Sequence, residues 1–157
     1  MSGEFFRLGL IAALCMLLIA AAITDLRSRI ISNRLNMAVA ALAPIWWIIN
    51  GLDPWPGMAI QLLAGAIVFA LFAGLFALGM MGGGDVKLLG ALALWFPAQA
   101  MISLLVLMAI LGGFVTLATL AYHRITKKPG QPEIPYGVAI SVAALWLLGE
   151  RYLNQFA

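Results

Sequence analysis

Two aspartates stand in surroundings that call for a reason. Asp25 closes an apolar run in Ile23-Thr24-Asp25-Leu26-Arg27, and Asp85 follows a glycine triplet in Met81-Gly82-Gly83-Gly84-Asp85-Val86-Lys87. Two carboxyl groups that share a site can carry out general acid–base catalysis. The ionised one takes a proton from water while its protonated partner donates to a substrate oxygen. Like charge at close range keeps both from ionising together, so such a pair titrates as a unit. A plainer reading pairs Asp25 with Arg27 or Arg29, and Asp85 with Lys87, as simple salt bridges. The glycines weigh against it. Each costs about 1 kcal/mol inside a helix, so three in a row suit a place where the main chain unwinds or admits another chain. Helix packing is the competing use of small residues, and Ala66, Ala70 and Gly74 form a small-xxx-small face in the run before the triplet.

The remaining ionisable residues have simpler accounts. Asp53 sits in a Pro/Gly-rich turn and caps it. Glu4 and Glu150 lie beside Arg7 and Arg151 and read as solvated ends; Glu133 lies in a polar stretch and reads as structural, and His123, which begins that stretch, is a poor metal site. A lone His and the single Cys15 exclude an intrachain disulfide and a multi-cysteine metal site. No metal and no cofactor are expected.

The elements that must position the two aspartates are membrane helices. The chain has 157 residues, 64% apolar and 10% charged, whereas soluble domains carry about 25% charged residues. A net charge of +3 with so few Lys and Arg excludes a soluble nucleic-acid binder. The partner is the lipid bilayer. A span needs about 20 apolar residues, which predicts crossings over Phe5–Thr24, Leu35–Asn50, Gly57–Gly84, Ala98–Tyr122 and Ile134–Gly149. Leu88–Phe96 is too short alone and completes a fourth crossing only if it starts near Asp85. The expectation is an all-α polytopic bundle of six transmembrane helices. Seven of nine basic residues (Arg27, Arg29, Arg34, Lys87, Arg124, Lys127, Lys128) then fall in alternate loops. The positive-inside rule makes those loops cytoplasmic and both termini external. Asp25 and Asp85 come out at the same cytoplasmic edge.

These segments resemble a known family. Gly82-Gly83-Gly84-Asp85 resembles the Gly-x-Gly-Asp signature of intramembrane aspartyl proteases, and Gly-Gly-Gly-Asp-Val-Lys-Leu resembles prepilin peptidases in particular. Asp25 with Arg29-Ile30-Ile31-Ser32-Asn33-Arg34-Leu35 is similar to the family's Asp leading into Ile-Pro-Asn-x-Leu, with Ser32 where many members have Pro. Ile134-Pro135-Tyr136-Gly137 resembles the Pro-Tyr-Gly segment before the last span. The resemblance implies one integral-membrane peptidase domain over residues 1–157, with Asp25 and Asp85 catalytic. Gly82, Gly83, Gly84, Lys87, Asn33, Pro135, Tyr136 and Gly137 would serve substrate access or positioning. It implies prepilin-type substrates, a site in the cell's inner (cytoplasmic) membrane, and the short peptidase-only type associated with Flp/Tad pili, without N-methylation.

Two rivals stand beside this reading. A small transporter or channel would use Asp25 and Asp85 as ion sites and the glycines as an unwound helix. A structural membrane subunit would use the carboxylates only to pair with Arg. The sequence names neither the pilin nor the oligomeric state.

Overall fold

The computed structural model describes residues 2–126 and 134–153, with side chains at 3–126 and 134–151. Lys127, Lys128 and Glu133 fall outside the described residues. Those described form helices α1 (Ser2–Ser28), α2 (Asn33–Ile49), α3 (Ala59–Ala77), α4 (Gly83–Ala93), α5 (Ala98–Thr126) and α6 (Tyr136–Leu153), with no strand. A helical turn, Pro54–Met58, leads into α3.

Three stretches are long and apolar enough to cross a membrane: Gly3–Ser28, Pro54–Ala77 and Ala98–Thr126. Their outward faces carry exposed Ile19, Ile23, Leu62, Ile67, Leu71, Ile102, Val106, Ile110 and Phe114. An apolar surface of that extent belongs against lipid. The other three helices do not meet the same standard. α2 has 17 residues and α4 has 11, which at about 1.5 Å each fall short of a core approximately 30 Å thick. α6 has 18 residues but closes on Glu150 and Arg151, which dilute its apolar character.

Helix ends correct two sequence boundaries. The third run does not continue to Gly84. It stops at Leu78, because Gly79 takes φ +71°, donating its N–H to Phe76 O, while Met80 N–H reaches Leu75 O. This left-handed closure is a helix stop that glycine adopts without strain. The glycine triplet, in turn, is not an unwound loop. Only Gly82 is extended, as the cap before α4, and Gly83 and Gly84 form the first helical turn.

α4 is the short central helix. It packs against α2, α3 and α6, while α1 lies on α2 and α6, and α5 lies on α6. Every α4 residue from Leu88 to Ala93 is buried, as expected of a segment that is apolar all round. A helix ending inside an apolar bundle must satisfy its last carbonyls. Gln61 Nε2 donates to Ala93 O at 3.0 Å and Phe96 O at 2.7 Å, and Trp47 Nε1 donates to Leu94 O at 2.7 Å. Trp95 Nε1 ties the following turn back to Val39 O at 2.8 Å.

The small-residue contact lies elsewhere than expected. Ala66, Ala70 and Gly74 are exposed. The α3–α4 seam is set instead by Gly65 and Gly90, whose added Cβ atoms would press on Leu94 and on Phe69.

Candidate active site

Each aspartate is held by a helix terminus. α1 ends where Arg29 takes φ +56° and its N–H closes on Asp25 O at 2.9 Å. Asp25 is therefore in the last turn, and its side chain turns into the bundle, 4% exposed. There it meets the start of α6. Val138 N–H donates to Asp25 Oδ2 at 3.1 Å, and the Gly137 N–H also faces the carboxyl. Unpaired N–H groups and the helix dipole make such a terminus a natural seat for an anion.

Asp85 is the third residue of α4 and 8% exposed. Its carboxyl folds back over the cap residue: a Cβ on Gly82 would stand 2.9 Å from Asp85 Oδ2, and the Gly82 N–H faces the same group. An acid in the first turn of a helix complements the positive end of the helix dipole. Both carboxyls lie at the same end of the bundle, beside segments that share Ile31 as a neighbour.

Ile31 is the shared neighbour that joins the three segments. A methyl on Gly84 would lie 3.1 Å from Ile31 Cβ and 3.2 Å from Ile31 O, and one on Gly137 would lie 2.6 Å from Ile31 Cδ1. The linker between α1 and α2 is thus wedged between the starts of α4 and α6. Ser32 caps α2, its Oγ accepting from Leu35 N–H at 3.3 Å. Its φ of −67° is one that proline also takes, so the backbone here is the one a Pro would impose.

The other expected residues divide. Lys87 does not pair with Asp85; its Nζ donates to Asn33 Oδ1 at 2.7 Å on the exposed rim. Arg29 directs its guanidinium at the Asp25 main-chain oxygen, 3.4 Å away. Pro135 is the buried residue before α6. Tyr136 turns its ring to α5, where a Cβ on Gly112 would meet it at 3.3 Å. The sequence reading passed over Asn36. It is 4% exposed, its Nδ2 donates to Gly84 O at 3.0 Å, and its Oδ1 has no partner. A buried acceptor left unpaired costs about 1–3 kcal/mol. A polar residue on an otherwise apolar helix face was the available signal. At the opposite end of the bundle, a cavity of about 380 Å³ is bounded by Arg7, Trp46, Gln61, Trp95 and Arg151.

A bundle of apolar helices with two buried carboxyl groups, each set against the N-terminus of a different helix, defines a membrane protein with two acidic groups at one end. Residues 12–117 match the type IV leader peptidase family, and the chain belongs to that family. It is 25% identical over 140 residues to a prepilin leader peptidase/N-methyltransferase of Bacillus subtilis, covering 89% of this chain and 56% of that protein. The chain thus spans a little over half the length of that relative. The Pro135-Tyr136-Gly137 segment lies beyond the family match. No solved structure matches the chain.

Proposed function

We propose that residues 1–157 act as one aspartyl endopeptidase domain that removes leader peptides from prepilins at the cytoplasmic face of the inner membrane. The observation that carries this reading is the placement of Asp25 and Asp85 together at one end of the bundle. Sixty positions apart in sequence, they are both buried at one end of the bundle, each against a helix start. Salt-bridge anchoring fits less well, because Lys87 is engaged with Asn33.

In the proposed reaction, the ionised carboxylate takes a proton from water, and the water oxygen bonds to the scissile carbonyl carbon. The protonated carboxyl gives its proton to the carbonyl oxygen. The tetrahedral adduct then collapses, the C–N bond breaks, and a proton passes to the leaving amine. The dyad needs no metal for this.

Six helices would make six crossings, with the shorter ones shielded by their neighbours. Arg27, Arg29, Arg34, Lys87 and Arg124 all lie at the aspartate end, which supports a cytoplasmic assignment under the positive-inside rule. Both termini would then be external. A substrate with a basic leader and an apolar segment would place its junction beside the dyad. We assign the hydrolytic step to these residues and Flp/Tad-type prepilins as its substrates.

Asp25→Asn and Asp85→Asn test the reading. Each keeps the shape of the side chain and removes a proton-transfer group, so each should lower cleavage of a prepilin by about 100-fold or more. Both variants should remain folded and inserted. Near-normal leader removal by either one, scored by mass spectrometry on purified protein, would sink the dyad.

A further inference from the structure

We propose that Asn36 is a positioning residue for Asp85: its buried amide clamps the Gly84 carbonyl and so fixes the turn of α4 on which that carboxyl stands. The inference rests on the acid–base reading above and adds to it a residue from α2.

The buried stripe of α2 is Asn36, Val39, Ala43 and Trp47, the face laid against α4. Three of the four are the apolar residues that such packing wants. Asn36 is the exception, and packing does not require it. Nor does the carbonyl it binds require a donor, since a carbonyl in the first turn of a helix accepts from the N–H four residues on. The amide even leaves its own Oδ1 without a partner. Removing the amide leaves the Gly84 carbonyl with its helical N–H partner and also removes the unpaired Oδ1, so the two effects on stability offset. For stability alone, leucine would serve as well.

What the amide supplies is location. Gly82, Gly83 and Gly84, which open α4 ahead of Asp85, carry no side chains, so the position of this stretch is set by what neighbouring segments bring to it. The bond from Asn36 Nδ2 reaches the peptide that joins Gly84 to Asp85, at 3.0 Å. A bond there resists rotation and sliding of the turn, and the Asp85 carboxyl moves with that turn.

The test uses the full chain in lipid nanodiscs, with a prepilin-derived peptide that the wild type cleaves. Asn36→Leu should lower kcat at least tenfold, leave KM within twofold, and leave the thermal unfolding midpoint unchanged or raised. Asn36→Thr keeps a donor of smaller reach and should recover more of kcat than the leucine variant does. A leucine variant with wild-type kcat overturns the proposal. So does one that loses kcat and midpoint together with no recovery by threonine, since that is the behaviour of a packing residue. Asp25→Asn and Asp85→Asn run alongside separate the two ideas. If they cleave normally, the dyad falls and this proposal with it; if they are inactive while Asn36→Leu is normal, only the present proposal falls.

Discussion

At Gly137 a side chain has nowhere to go. A methyl there would stand 2.9 Å from both Cγ and Oδ2 of Asp25, closer than carbon atoms pack, and would push the carboxyl off the Val138 N–H. Gly137→Ala should therefore lower the cleavage rate at least tenfold, whereas Gly113→Ala, which adds a methyl in open space, should leave it unchanged. Gly84→Ala is a different case. Alanine favours helix by up to about 1 kcal/mol, but the new methyl meets the Ile31 main chain at 3.2–3.3 Å, and main chain yields less readily than a side-chain tip. Cleavage and thermal midpoint should fall together. A loss of cleavage with the midpoint intact would instead assign the glycines to substrate access.

At the scale of elements, α4 is the most dependent part of the fold. Eleven residues make too few internal hydrogen bonds to hold a helix in water, so its place is set by partners at both ends. At the carboxyl-terminal end those partners are Gln61 and Trp47. Gln61→Leu would leave the Ala93 and Phe96 carbonyls without that donor, at a cost of about 1 kcal/mol for each hydrogen bond lost. The expected result is a lower unfolding midpoint in detergent and a matching fall in activity, because a displaced α4 carries Asp85 with it. An unchanged midpoint would show that the short helix is anchored by packing alone.

For the whole molecule, the decisive matter is which end faces the cytoplasm. Asp25 and Asp85 are too buried to report this by chemical labelling, but Lys87 and Asn33 lie exposed on the same rim, and Asp53 is exposed at the far end. In a Cys15→Ala background, a membrane-impermeant thiol reagent applied to intact cells should label Asp53→Cys and spare Lys87→Cys and Asn33→Cys. Inverted membrane vesicles should reverse the pattern. Labelling of position 87 from outside would overturn both the orientation and the cytoplasmic site.

Much of this molecule was decided by composition and local pattern. The apolar runs dictate helices in lipid because bare backbone polar groups cannot remain there, and the glycine-aspartate and Pro-Tyr-Gly segments mark the candidate site without any knowledge of contacts. Tertiary structure decided what local pattern could not. That α3 is closed off by Gly79 and α4 starts at Gly83 depends on which glycine takes positive φ, and several in the same run were equally able to. The wedge of Ile31 between Gly84 and Gly137, and the buried amide of Asn36 on the Gly84 carbonyl, are meetings of residues about 50 to 100 positions apart. A side chain's neighbours along the chain say nothing about such partners; only the packing of the helices brings them together.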